Sequence, residues 1–409
     1  MGNLTVFLQL DACRKDYMNR EQTPFLHSLA KEGISGSLVP TFGFEPDAAY
    51  IAGLYPDQVD GGAQFWHDPS KSPFKYIPLL KCLNYLPRFP ELVFRKLLIK
   101  SIMQFCKSPS LSLARVPFHL LRYFSFPMEV GMAHPDFCST STVFDQLRGA
   151  GKSWLFHCHP NQRVDLDTVV SRAEADLQSP LSFAFFHIGN LDTIGHSYGP
   201  ISPEMKNELR KVDEGVKKIL QVAKERFDEV HFLVIGDHGM MTIDQTINVW
   251  KMLDALPLKL EKDYLCFLDS TMARFWFFSK SSREMIVAEL EKLDGGHILN
   301  KEEIDRYHLN YSHSKFGELI YLADPRVLIF PNYYQKDQPG KGMHGYAPET
   351  SEQQSLLMLY SPRVGGMVGS KKNPIDMRQV FPTVLDLLNL PIPKTCDLKS
   401  LVGTHALYN

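Results

Sequence analysis

The sequence contains no Cys-x-x-Cys pair, no run of about 20 apolar residues, no internal repeat and almost no net charge. Each absence removes a class of protein. The seven cysteines (Cys13, Cys82, Cys106, Cys138, Cys158, Cys266 and Cys396) are odd in number and scattered, so neither a disulfide framework nor a zinc knuckle is expected. A reducing compartment fits better. A membrane-spanning helix is not expected either. The opening residues, MGNLTVFLQLDACRK, carry no basic leader and only seven uncharged residues from Leu4 to Leu10, which is weak for a signal peptide. Gly2 invites myristoylation, but Val6 stands where that pattern wants Ser or Thr. The expected location is cytoplasmic, with peripheral membrane contact as an option. A net charge of −2 gives no overall pull toward nucleic acid, and no nucleic-acid partner is expected. What is present, 44% apolar and 22% charged residues over 409 positions, suits two or three domains or one large α/β domain with insertions.

The near-neutral total hides an asymmetry. Between Lys71 and Arg122 ten Lys and Arg face a single acid, Glu91, so this segment carries +9 and the remainder −11. Within it, ELVFRKLLIKSIMQFCK (91–107) puts Lys96, Lys100, Gln104 and Lys107 along one helical strip, with Leu98, Ile99, Ile102, Phe105 and Cys106 opposite. A cap that meets an anionic membrane through 91–126, or grips a lipid-linked substrate, is one reading. A core-packed helix with a solvated basic face is the other.

Four segments share one design, an apolar run that ends abruptly in a polar group: TVFLQL before Asp11, LSFAFFHIGN before Asp192, VHFLVIG before Asp237 and His238, and SLLMLYSP near residue 360. Such runs read as strands buried on both faces. Between them lie helical patterns. In 21–33, Thr23 and Pro24 are expected as cap and first position, and Gly33 as the stop; 202–227 opens on Ser202-Pro203. The alternation predicts a mainly parallel sheet with helices on both faces, whose ligand sites lie at the carboxyl ends of the strands. Residues 61–140 and 255–340 break the rhythm and read as insertions into a core formed by 1–60, 141–254 and 341–409.

The polar groups at those strand ends carry the chemistry. Asp192 and His196, four apart in LDTIGHSYGP, can face one ion. Asp237 and His238 sit side by side in GDHGM, His344 lies between glycines in GMHGY, and Asp11 ends the first run. Taken singly, each is most simply an ion pair, a cap or a structural histidine. Together, three carboxylates and three imidazoles suit two neighbouring sites for zinc, or less selectively manganese or iron. His157-Cys158-His159 has alternating imidazoles but no third partner, and reads as structural.

These residues, with LDACRKDY, TPFLHSLAKEG, GLYP (53–56) and FPTVLDLLNLPIP in the same order, resemble the alkaline phosphatase superfamily, and most closely its nucleotide pyrophosphatase/phosphodiesterase branch. The resemblance implies a three-layer α/β/α sandwich with a mainly parallel central sheet and inserted cap segments. It implies two divalent ions, zinc first with manganese or magnesium as alternatives. One would be held by Asp192, His196 and His344, the other by Asp11, Asp237 and His238.

The family's nucleophile pattern, Lys-Thr-Phe-Pro-Asn-His, is altered here to VPTFGFEPDAAY. Aligned on GLYP without gaps, the attacking position falls on Gly43, which cannot attack. With two residues inserted, it falls on Thr41, the only hydroxyl between Ser37 and Tyr50. Thr41 is the preferred nucleophile, and the helper Asn has no counterpart. The expected activity is cleavage of a phosphodiester or pyrophosphate bond in a nucleotide-type or lipid-linked substrate, through a phosphothreonine. The alternatives are a phosphomonoesterase or phospho-group transferase of the same superfamily, and a metal-binding relative without catalysis. No Cys-x-Pro-x-Arg or Ser-x-Pro-x-Arg motif supports a sulfatase, and the loop before GLYP lacks the Ser of a phosphoglycerate mutase.

Overall fold

Each of the four apolar runs lies in a strand of one sheet. A computed structural model describes residues 2–74, 93–97, 115–125, 131–159, 162–178, 180–367, 369–394 and 396–403. Across the sheet the strands run Gly369–Ser370, Ile34–Val39, Ser355–Tyr360, Glu229–Ile235, Asn3–Leu10, Phe183–Ile188 and Trp154–His157, with Ile375–Asp376 also on Ile34–Val39. Asn3–Leu10 pairs parallel with both of its neighbours, and Phe183–Ile188 pairs parallel with Trp154–His157. Ser355–Tyr360, the fourth run, is antiparallel to the strands on both sides. The sheet is therefore mainly parallel with one reversed member. Its parallel strands end at a single edge, and Asp11, Asp192 and Asp237 all follow that edge.

Side chains alternate across the sheet. Leu4, Val6, Leu8 and Leu10 pack with Leu26, Val169, Leu209, Val212 and Val216, from the helices Pro24–Leu29, Leu166–Asp176 and Pro203–Arg226. Phe7, Ile34, Phe185 and Leu357 pack on the other face with Ala49, Phe144 and Phe381, from the helices Asp47–Ala52, Val143–Gly149 and Val380–Leu387. This gives the α/β/α sandwich that the sequence leads one to expect.

Two local expectations are corrected. Thr23 does not cap the helix at Pro24; its hydroxyl donates to the Tyr17 carbonyl, and Asp213 of the long helix accepts the free N–H groups of Phe25 and Leu26, at 2.8 and 2.9 Å. The cap thus comes from a distant carboxylate, which pins one helix to the next. Gly33 lies beyond the helix end at Leu29, and its role is close approach, because a Cβ there would stand 2.2 Å from the Leu359 carbonyl oxygen.

Residues 255–340 build a four-stranded antiparallel sheet in the order Tyr264–Leu268, Met272–Phe277, Leu319–Ala323, Gly296–Ile298. Ile247, Val249 and Leu253 pack into this sheet's own apolar cluster, so by packing it begins before residue 255. The described parts of 61–125 lie against it, Phe65 and Phe124 contacting Phe267 at ring centroid distances of 4.8 and 5.1 Å, whereas Met132 and Phe137 pack with the core of the large sheet. Arg274, fully buried, ties the two together. It donates to Asp269 at 2.9 Å and to the carbonyls of Phe65 and Phe316 at 2.8 and 3.2 Å. Of the basic helix, Arg95 is buried under the Phe118 ring and Val93 and Leu97 are exposed; Lys100, Gln104 and Lys107 lie outside the described residues.

Removing one partner of a buried ion pair leaves the other uncompensated, which costs about 3–5 kcal/mol. Arg274→Met is expected to lower stability by about that amount in urea unfolding, and adding Asp269→Asn to recover part of it. A neutral Arg274→Met would show that the pair does not hold the insertions together.

Candidate metal centre

Asp11 follows its strand directly, with its N–H bonded to the Ile188 carbonyl at 2.9 Å. Ala12 then takes a left-handed φ of 57°, and its N–H turns back to Asp237 Oδ1 at 3.0 Å. The glycines around Asp237-His238 serve close packing. A Cβ at Gly236 would lie 2.4 Å from the Cys13 carbonyl oxygen, and one at Gly239 1.9 Å from that of Glu352. Asp192 and His196 occupy successive turns of the helix Asn190–Tyr198, and Gly195 between them faces Met240 with no room for a Cβ. The loop bearing His344 docks on that helix: Lys341 N–H reaches the His196 carbonyl at 2.9 Å, and the His196 Nδ1–H reaches the Gly342 carbonyl at 3.0 Å.

The outcome is two sets of three. Asp192, His196 and His344 present ligand atoms all within 4.8 Å of one another, and Asp11, Asp237 and His238 do the same. The sets adjoin, since the His238 and His344 rings stack at 3.7 Å and 8°. His196 and His238 each spend Nδ1 on a backbone carbonyl, at 3.0 and 2.9 Å, which directs Nε2 to the carboxylates. All six side chains expected from the sequence as ligands are thus brought together.

Their charges crowd one another. Burial, then Asp237 and Asp192, hold the Asp11 carboxyl well above its ordinary range. Burial opposes charge on His196 and His238 too, yet the neighbouring carboxylates carry both above their usual values. His344 is driven well below by burial and then by His238. His344 Nδ1 is buried with no hydrogen-bond partner, and Asp192 Oδ1 faces His196 Nε2 at 3.1 Å and His344 Nε2 at 3.7 Å. A mixed Asp/His set with a buried, unpartnered imidazole nitrogen fits divalent cations.

Thr41 lies elsewhere. It lines a cavity of about 410 Å³ with Phe42, Tyr55, Tyr307, His308 and Glu349 among others, and none of the six ligand candidates lines that cavity. Gly43 cannot carry a nucleophile by any substitution: its φ is 110°, and a Cβ would meet the Gly62 carbonyl oxygen at 2.2 Å. Past Gly43 the loop turns to the ligands. Phe44 sets its ring edge-on to His344, with centroids 5.7 Å apart. Asp47 is held by the Tyr50 hydroxyl, and its charge is felt by Asp237, His187 and His238. Burial pushes Asp47 upward, Tyr50 pulls it down and Asp237 adds to the rise.

Two residues outside the expected set touch the centre, Gln9 and His187, and Tyr50 links Gln9 to Asp47 behind them. Gln9 Nε2–H donates to Asp237 Oδ2 at 2.9 Å, and His187 Nε2 lies 3.0 Å from Asp11 Oδ2. The available signal was a polar residue inside each apolar run, but their partners depend on strand order.

Residues 125–347 match the family model described as type I phosphodiesterase / nucleotide pyrophosphatase, a span that contains five of the six candidate ligands. The chain belongs to this family. Human ectonucleotide pyrophosphatase/phosphodiesterase family member 7 is 30% identical over 261 residues, covering 60% of this chain and 54% of that protein. GPI ethanolamine phosphate transferase 1 of Neurospora crassa is 28% identical over 233 residues, covering 55% of this chain and 20% of the relative. The chain thus spans about half, or less, of the length of the curated relatives it matches. Among solved structures, murine ectonucleotide pyrophosphatase / phosphodiesterase 5, as an inactive threonine-to-alanine variant in complex with AMP, superposes with a TM-score of 0.71 at 17% identity, over 96% of each chain. The human form gives 0.70 at 17%, over 95% of this chain and 96% of that one. At this identity the superposition speaks for the alkaline-phosphatase-like fold.

Glu45, half-buried between Phe44 and Pro46, offers a pH test. Burial, then Asp47 and Asp269, push its carboxyl up to about 7 from an ordinary 4.5. A folded-state value above the unfolded one gives stability that is complete below the ordinary value and is lost as pH rises through about 7. The melting temperature of Glu45→Gln relative to the native protein is therefore expected to rise between pH 5 and pH 8. A difference independent of pH would mean that Glu45 is not strained in the fold.

Proposed function

We propose that this centre, loaded with two divalent ions, cleaves a phosphodiester or pyrophosphate bond in a nucleotide-type or lipid-linked substrate. The observation that carries the reading is the contact between two complete ligand triplets, with His344 Nδ1 left without a hydrogen-bond partner. Asp192, His196 and His344 would hold one ion, and Asp11, Asp237 and His238 the other. Zinc suits this donor set best. Two such ions supply Lewis-acid stabilisation to the attacking and leaving oxygens of an in-line displacement. The relatives include both pyrophosphatase/phosphodiesterases and ethanolamine phosphate transferases by name, and those two outcomes differ in whether water or an alcohol accepts the phosphoryl group.

The attacking group comes from the loop that joins the strand Ile34–Val39 to the helix Asp47–Ala52. Thr41 is its only hydroxyl, and the relative solved with AMP was inactivated at a threonine. In this reading Thr41 Oγ1 bonds to phosphorus, the leaving group departs, and water then cleaves the phosphothreonine. A second reading is favoured by the position of Asp47: the Tyr50 hydroxyl joins its carboxylate to Gln9 Oε1 at 3.1 Å, and Gln9 in turn joins Asp237. In that reading the Asp47 carboxylate attacks and an acyl phosphate is hydrolysed. Peripheral membrane contact from a cytoplasmic location is retained as part of the proposal, supported by Val93 and Leu97 exposed beside Lys96. Among the described residues no helix is long and apolar enough to cross a membrane.

The test compares a chromogenic nucleotide diester with the matching monoester, with chelator and after zinc is restored. The expected result is diester cleavage that chelation abolishes and zinc recovers; cleavage indifferent to chelator would refute the proposal. At unchanged metal content, the attacking residue is the one whose replacement, Thr41→Ala or Asp47→Asn, costs at least about 10³-fold in kcat.

A further inference from the structure

The carboxylates of the Asp11/Asp237/His238 triplet are each gripped from beneath by a residue the proposed chemistry does not use. On the adjacent parallel strands Asn3–Leu10 and Phe183–Ile188, Gln9 and His187 are register partners. Gln9 donates to Asp237 Oδ2 at 2.9 Å; His187 Nε2 stands 3.0 Å from Asp11 Oδ2. The next strand outward continues the line. His157 pairs with Phe186, so Cys158 comes opposite His187, and its Sγ lies 3.4 Å from His187 Nδ1. Three neighbouring strand ends thus place Asp11, His187 and Cys158 in a row, and both His187 and Cys158 are buried.

Donor and acceptor accounting gives the row one sense in the neutral imidazole. An Asp11 that ligates an ion is ionised and only accepts, so His187 then carries its proton on Nε2, which leaves Nδ1 as an acceptor for the thiol S–H. Asp11 Oδ1, the other oxygen, faces His238 Nε2 at 3.6 Å. The two oxygens of Asp11 are therefore divided, one to His187 and one toward the ion site. We propose that His187 is a positioning residue which holds Asp11 by Oδ2 so that only Oδ1 reaches the ion, with Cys158 fixing the His187 tautomer. This inference rests on the reading of Asp11 as a ligand. Groups that orient a metal-binding carboxylate in this way are worth about 10- to 100-fold in metal affinity.

The experiment is metal binding rather than turnover: zinc stoichiometry, the affinity of each site by competition with a chelator, and the visible spectrum of the cobalt-loaded protein. It uses the full chain, as His187→Leu, His187→Gln, His187→Asn and Asp11→Asn. In His187→Gln the amide nitrogen falls near the lost Nε2 and can still reach Asp11; in His187→Asn it falls near Nδ1 and cannot. The native protein is expected to bind two ions and Asp11→Asn one. His187→Leu and His187→Asn are expected to weaken one of the two sites by about 10- to 100-fold and alter its cobalt spectrum, while His187→Gln stays within a few-fold of native. Should His187→Leu fail to fold, the Gln and Asn variants decide between themselves. Equal affinities in Gln and Asn, or native affinity in His187→Leu, would overturn the proposal. Fewer than two ions on the native chain, or two on Asp11→Asn, would remove the ligand reading of Asp11 and this inference with it.

Discussion

Three carboxylates and three imidazoles pressed into one partly buried volume set the terms for the rest of this protein. Burial opposes charge on Asp11, Asp192 and the three imidazoles, and Asp237 and Asp192 add repulsion to the cost at Asp11. Mutual hydrogen bonding does not satisfy the whole group, and His344 Nδ1, buried with no hydrogen-bond partner, marks where bonding runs out. Divalent cations, as proposed here, would relieve this crowding. The surrounding backbone is shaped to keep the six groups together: Gly236, Gly239, Gly195 and Gly342 each lie where a Cβ would collide with a neighbouring chain segment. Close packing at these glycines is what converts far-separated residues into one centre.

The sheet provides the convergence. Parallel strands in adjacent positions end at one level, so the residues that follow Leu10, Ile188 and Ile235 emerge side by side whatever their separation in the chain. Beneath them, register pairs such as Gln9 and His187 reach the same carboxylates from within the sheet. The smaller antiparallel sheet and the described parts of the basic segment pack against each other around Arg274. They form a body beside this edge rather than loose loops.

Much of the architecture was legible because it rests on local pattern. Apolar runs that end in a turn announce buried parallel strands, and the polar groups directly after them announce the site. The antiparallel course of Ser355–Tyr360 was not legible, since an apolar run reads alike in both directions. Asp213 as the cap of a distant helix, and His187 as the partner of Asp11, are contacts between strands and helices whose neighbours only the fold assigns. The segment around Thr41 is the hardest part. Its departure from the family pattern was visible, but the sequence carried no sign that Gly43 packs on Gly62 or that Asp47 faces the ligands while Thr41 lines another cavity.

The central claim is that the two triplets are ion sites. Its most direct measurement is a crystal structure grown with zinc and phased by the anomalous signal of the metal. The account predicts two ions, one bounded by Asp192, His196 and His344 and the other by Asp11, Asp237 and His238. A single ion, or ions bound elsewhere while these six side chains contact only one another, would contradict it.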